Sequence, residues 1–475
     1  MSDQIDTCAL DRYASEEMER IFDRREKYVY WRKLWIYLAE AQQELGLDIS
    51  DKQIDEMKSV VDQIPFDRVQ EIEEETRHEV MAHIRAFGEQ CPSAAPIIHL
   101  GATSMFVMDN GDLMRLQKAL KRIGDLLANI VDALARFSEE HADEPILGLT
   151  HLQPAQVTTI GKRASLWLEG FLDDLKRIRE LQKTLPFRGA KGAVGTQDSY
   201  LTLFDGDHEK VKQLDRRVAE KAGFERVLTV TGQTYSRKYD HRILSLLSSI
   251  AQSASKFSVD LRLLQSRGEI EEPTKSSQVG SSAMAYKRNP IRAERISGLA
   301  RYLLQETENS SHTAANQWLE RSLDDSSNRR LVLPHSFLAA DGMLKTVLNC
   351  ARGLVIHQAN IREALNDKRP FLATERILME MVREGHSRQE IHEKIRVHSR
   401  KAEENVDAGG ENDLLDRLKK DPEFEPVHDR IDELAEVSNL TGRSSEQVRD
   451  FLDNEVQPIL DNESSVLGTS SELDV

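Results

Sequence analysis

The stretch "QVGSSAMAYKRNPIRAER", residues 278–295, sets Gly280, Ser281 and Ser282 beside Lys287, Arg288, Arg292 and Arg295. Against the single Glu294 these four cations leave it locally +3, in a chain whose formal charge is −17. Small hydroxyls on a glycine hinge beside cations suit a loop that carries a hydroxyl over a bound anion. Asn289-Pro290 reads as an N-cap with proline at the first helical position. Five other stretches carry chemistry-bearing types. "GLTHLQPAQ" (148–156) places Thr150 and His151 in a proline-flanked loop, and histidine is the side chain suited to proton transfer near neutral pH. "HLGATSMFVMDN" (99–110) puts Thr103 and Ser104 at the start of a helical pattern, where they serve as caps or as a carboxylate site. "TGQTYSRK" (231–238) offers Gln233 as donor and acceptor, or plain turn chemistry. "ERSLDDSSNRRLVLP" (320–334) carries Arg321, Ser326, Arg329 and Arg330, types that hold phosphate; a helix start salt-bridged through Asp324 and Asp325 fits as well. In "TRHEVMAHIRAFG" (76–88), Arg77 and His78 adjoin on a helical pattern, which alone suits a surface pair.

Long helices must position these junctions. Leu113, Leu116, Leu120, Ile123, Leu127, Ile130, Leu134 and Phe137 form an a/d stripe about 37 Å long. Similar stripes run through Ile243–Leu264, Phe337–Leu354 and Ala164–Ile178, and a shorter one starts at Ile296. Five such helices predict a bundle, with stripes broad enough for burial against further chains. Shorter helical patterns flank them. Gly46 predicts a helix stop and "SDKQ" (50–53) a capping box. Period-2 alternation predicts at most a short hairpin near 226–231, and the final SSVLGTSSELDV a loose tail. The division expected is 1–103, an N-terminal helical domain; 104–356, the central bundle; and 357–475, a C-terminal helical domain ending in that tail.

At 475 residues with 31% charged side chains, the chain has the composition of a soluble, multi-domain protein. Its N-terminus lacks the basic-then-apolar pattern of a secretory signal, and no eighteen-residue apolar run predicts a membrane span. Three scattered cysteines argue for a reducing compartment, and the acidic balance argues against nucleic acid. No clustered metal-ligand set stands out.

"GSSAMAYKRNP" resembles the signature loop G-S-S-x-M-P-x-K-x-N-P of the fumarase/aspartase superfamily. Within it, "DRYAS" (11–15), "TRHEVMAH", "HLGATS", "THLQPAQ", "TGQTYSRK" and "ERSLDDSSNRR" are similar to the adenylosuccinate lyase family in its animal-type branch. The likeness runs from about residue 10 to 455, with seven motifs in order. It implies an all-α, fumarase/aspartase-like fold: a long central helical bundle flanked by two smaller helical domains, assembled as a homotetramer whose sites are shared between subunits. It implies β-elimination of fumarate from adenylosuccinate, giving AMP, and from the succinylated aminoimidazole-carboxamide ribotide (SAICAR), giving AICAR, in the cytoplasm and without metal or cofactor. Ser281 matches the general base and His151 the general acid. Thr103, Ser104, Lys287 and Asn289 match residues on the succinyl carboxylates; Arg12, Tyr13, Arg321, Ser326 and Arg330 match the phosphate grip. Arg77, His78, Glu79, Thr150, Gln233 and Arg295 match further substrate contacts. Ala285 stands where the signature has proline, and Glu79 where aspartate is common. Argininosuccinate lyase or fumarase would need no phosphate cluster, and a non-catalytic scaffold would have no use for Ser281, His151 and Lys287.

Overall fold

The computed structural model describes residues 12–274, 284, 286–470 and 472–473. Its N-terminal part holds α1 (Glu16–Phe22), α2 (Arg24–Glu44), α3 (Asp51–Ser59), α4 (Phe66–Thr76) and α5 (Glu79–Gln90). Gly46, at φ 97°, follows the end of α2, and Ser50 with Gln53 closes the capping box that opens α3.

The bundle follows the stripes. The helices are α6 (Ser104–Glu140), α7 (Ile160–Thr184), α8 (Asp198–Leu203), α9 (His208–Lys221), α10 (Lys238–Ser266), α11 (Ile291–Ala315) and α12 (Asp324–Arg352). All eight apolar residues of the first stripe are buried on α6, which packs against α2, α7 and α12, while α11 lies along α10 and α12. Each such side chain stabilises the fold by roughly 1.5–3 kcal/mol relative to exposure, so the stripe is what fixes α6 in the middle of the molecule. The N-terminal helices share this core through Trp31, Leu34, Trp35 and Leu38. By length and composition α12 could cross a membrane, but it is a buried core helix that carries Asp325, Arg329 and Asp341 inside.

Three expectations need correcting. The hairpin is not near 226–231, where Val227 makes only an isolated bridge to Phe187. It is β1 (Pro145–Thr150) paired antiparallel with β2 (Gln153–Thr159), over the segment read as a loop. His151 and Leu152 form its two-residue turn at φ 53° and 59°, a conformation usually left to Asn-Gly, which is why the sequence hid it. Second, Pro290, not Asn289, sits at the cap of α11, which begins at Ile291. Proline offers no N–H and fits either boundary position. Third, the tail is docked as far as Thr469. After α13 (Gln358–Leu372), α14 (Thr374–Arg383), α15 (Arg388–Asp407) and α16 (Leu414–Lys420) enclose a second small core, the chain returns to the bundle, where Val456 and Leu460 join the main core. Asn129, buried on α6, then bonds Val466 O, Gly468 N and Thr469 N.

Candidate active site

The break between α4 and α5 builds the first part of the site. Arg77 ends α4 in the left-handed region, φ 52°, so Arg77 and His78 do not share one helix as the pattern predicts. His78 instead caps α5, its Nδ1 accepting from Met81 N at 3.2 Å. That bond leaves the proton of neutral His78 on Nε2, which lies 3.4 Å from Ser104 Oγ. Ser104 opens α6 and Thr103 precedes it at the cap position, yet the Thr103 side chain makes no capping bond. Its Oγ1 is buried without a partner. An unused hydroxyl, an imidazole N–H and the free amides of a 37-residue helix converge here. Together they suit a carboxylate. His99, absent from the sequence-based set, stands behind: its Nδ1 accepts from Trp35 Nε1 at 2.8 Å, and burial, helped by His78, pushes its pKa down to about 4.

The hydroxyl-rich loop and the approach to α12 form the second part. Gln233 Oε1 accepts from Arg321 Nη1 at 2.8 Å, and Gln233 N donates to Glu320 O at 3.0 Å. Gly232 permits that approach, since a Cβ there would come within 2.5 Å of Glu320 O. Behind this contact Asp109 of α6 accepts from Tyr235 N and from Arg237 Nη2, both at 3.0 Å. Arg329, read from sequence as a phosphate candidate, is buried and committed to Asp240 at 2.7 Å and Asp112 at 3.1 Å. It braces the helix and leaves Ser326 and Arg330 as the candidates on this side.

Arg330 joins the third group. Glu79, first residue of α5, accepts from Arg330 Nη2 at 2.7 Å, Lys27 Nζ at 2.7 Å and Tyr28 OH at 2.9 Å. Burial alone would raise the Glu79 carboxyl, but Lys27 and Arg330 outweigh it and hold the pKa at about 2. Lys27, Arg330 and Ser326 line a cavity of about 230 Å³ with Arg24 and Arg115. Pro334, on its wall, lacks the amide that would bond the Arg330 carbonyl within α12.

The remaining candidates stand apart. Arg295 lies over the Tyr13 ring at 5.1 Å. Tyr13 packs on Gly342, where an added Cβ would meet it at 2.7 Å, and Ser15 N anchors the segment to Asp341 at 2.6 Å. Twelve residues of α12 separate Gly342 from Arg330, about 18 Å along the axis. Thr150 and His151 are exposed at the hairpin tip, with no bond to Ser104, Gln233 or Arg330. Arg12 and Lys287 are exposed, and Asn289 lies just before α11. Ser281 and Ala285 lie outside the described residues.

Comparison with known proteins gives the arrangement a context. Residues 9–303 match the lyase family model, and 370–451 match the model described as adenylosuccinate lyase C-terminus. The crystal structure of 3-carboxy-cis,cis-muconate lactonizing enzyme from Pseudomonas putida superposes with a TM-score of 0.82 at 22% identity, over 95% of this chain and 99% of that one. Fold and family model together define an all-α lyase of the fumarase/aspartase superfamily. Adenylosuccinate lyase of Saccharomyces cerevisiae is 48% identical over 463 residues, 96% of each chain. That of Schistosoma mansoni is 47% identical over 98% of this chain and 97% of its own. The chain belongs to the adenylosuccinate lyase family.

Proposed function

We propose that this chain releases fumarate from adenylosuccinate, giving AMP, and from SAICAR, giving AICAR, by β-elimination. The observation that carries the reading is the partnerless Thr103 hydroxyl at the α6 N-terminus, next to Ser104, whose own hydroxyl lies 3.4 Å from His78 Nε2: a ready seat for a succinyl carboxylate. Taking a proton from the carbon next to that carboxylate pushes charge into it. Fixed donors around it therefore favour the transition state over the ground state, at ~3–4 kcal/mol per donor by analogy with other oxyanion sites. Ser281 acts as the base and His151 as the acid for the departing nitrogen. Thr103, Ser104, Lys287 and Asn289 hold the carboxylates; Gln233, Arg295, Arg77 and Thr150 contact the rest, and Arg12, Tyr13, Arg321, Ser326 and Arg330 the phosphate. The strained turn at His151 supports its role, because a non-glycine residue at φ 53° is tolerated where function places it.

The working unit is a homotetramer with sites completed across subunits. Its support is the separation within one chain: His151 on an exposed hairpin tip, and the Tyr13–Arg295 pair about 18 Å along α12 from Arg330. Leu166 of α7 and Val259 of α10 are exposed apolar residues available to a neighbouring copy. The division at 103/104 and 356/357 and a cytoplasmic location belong to the same reading. The test is purified protein given adenylosuccinate without added metal: AMP and fumarate should appear in equal amounts. Turnover of argininosuccinate or malate in its place, or none at all, overturns it.

A further inference from the structure

Glu79 matches a substrate contact, yet its oxygens are taken up by protein. Oε1 accepts from Lys27 and Tyr28, and Oε2 from Arg330. Its side chain is 17% exposed, and that of Lys27 19%. Lys27 is held further by the faces of Trp31 at 4.8 Å and Tyr28 at 5.1 Å. An ammonium has three donors and a guanidinium five, and Glu79 takes one from each. The rest remain for an occupant of the cavity that both line with Ser326. Of the other cations on its wall, Arg115 donates to the carbonyls of Ile21 and Phe22, Arg329 donates to Asp240, and Arg24 lies over the Phe66 ring at 5.3 Å.

We propose that Glu79 is a positioning residue, the shared counter-ion that holds Lys27 and Arg330 together as a two-cation clamp, and that Lys27 is an additional contact to the 5′-phosphate of the substrate. This rests on the reading of Ser326 and Arg330 as the phosphate grip. Preorganisation is the gain: without Glu79, two like charges would separate and each would have to be ordered by the ligand itself. Because the carboxyl is ionised at any working pH, the clamp is assembled before substrate arrives.

The two products separate the ends of the site, since AMP carries the phosphate and fumarate the dicarboxylate. Inhibition constants for both are measured against adenylosuccinate for the full-length enzyme and for Lys27→Met, Glu79→Gln and Arg330→Met. Lys27→Met is expected to weaken AMP about tenfold relative to fumarate, and Glu79→Gln several-fold in the same direction, although it removes a negative charge near the phosphate. A folding defect lowers kcat without changing that ratio. If Arg330→Met shifts the ratio while Lys27→Met or Glu79→Gln leaves it alone, the clamp is wrong and the phosphate reading stands. Tighter AMP binding in Glu79→Gln makes Glu79 an opposing charge and overturns the positioning role. An unchanged ratio in Arg330→Met removes the phosphate reading itself.

Discussion

Arg237, just before α10, donates from Nε to Asp325 of α12 at 2.6 Å, and both side chains are buried. With Asp109 this ties α6, the Gln233 loop and the start of α12 into one unit. Such a group is held by mutual pairing, and breaking it strands a charge in the interior. Arg237→Met should lose about 3–5 kcal/mol in urea unfolding. Adding Asp325→Asn should return part of that loss by removing one stranded carboxylate. A loss below about 1 kcal/mol would mean water reaches the group.

The Arg321–Gln233 contact makes a separable prediction. Gln233→Glu would convert a neutral acceptor into a carboxylate that occupies the Arg321 fork. Stability should hold or rise, while KM for adenylosuccinate rises roughly tenfold, because a fixed negative charge now competes with the substrate's. Melting temperature and KM moving together in the unfavourable direction would contradict this.

Sharing of sites can be tested by mixing. Ser281→Ala and His151→Ala should each abolish nearly all turnover and keep their helical content. Random reassembly of the two should restore up to about a quarter of the sites if Ser281 and His151 of one site come from different chains of a symmetric oligomer. No recovery in reassembled mixtures would place both residues in one subunit's site.

What the sequence disclosed depended on range. The α6 stripe, the capping box at Ser50 and the stop at Gly46 are local patterns, and each is legible because neighbours within a few turns decide it. The β1–β2 hairpin was hidden because His151-Leu152 lacks the residues that ordinarily mark its turn. The candidate residues were found by their motifs, but their partners were not. Lys27 and Arg330 lie 52 and 251 residues from Glu79, and no local spacing links them. Nor does it reveal that Arg329 is committed to Asp240 while Arg330 pairs with Glu79.

Stability should fall on acidification, from two buried imidazoles. His83, its ring tilted over that of Tyr28 with centroids 3.7 Å apart, is pushed down to about 3 by burial, and His99 to about 4. Unfolded histidine titrates near 6.5, so between roughly pH 6.5 and 4 the unfolded chain binds protons that the folded one refuses. Each then costs up to about 1.4 kcal/mol per pH unit as pH drops. Asp174 works the other way. Burial raises it to about 6 despite Ser253 and Ser249, so its penalty is full above pH 6 and relieved as pH falls toward 3.8. Melting temperature should drop from pH 7 to 5, less in His83→Phe and more in Asp174→Asn. Parallel curves for all three would contradict these assignments.

The docked segment at 466–469 rests mainly on Asn129, with Arg352 Nη1 also donating to Thr469 O. Asn129 Oδ1 accepts from Gly468 N at 2.8 Å, Thr469 N at 3.0 Å and Arg352 Nη2 at 3.1 Å, and its Nδ2 donates to Val466 O at 2.9 Å. Asn129→Ala leaves these groups without their partner at the surface of α6, a cost of about 1–3 kcal/mol if they stay docked. Release into water is the cheaper course, since the segment beyond Glu463 has little apolar burial of its own. Limited proteolysis should therefore clip the variant after residue 463 while the wild type resists. The ion pair of Glu463 with Arg179, at 2.6 Å, should keep the preceding helix in place. Equal resistance in both proteins would mean that Val466 and Leu467, packed on the main core, and the Arg352 bond to Thr469 O hold the segment without Asn129.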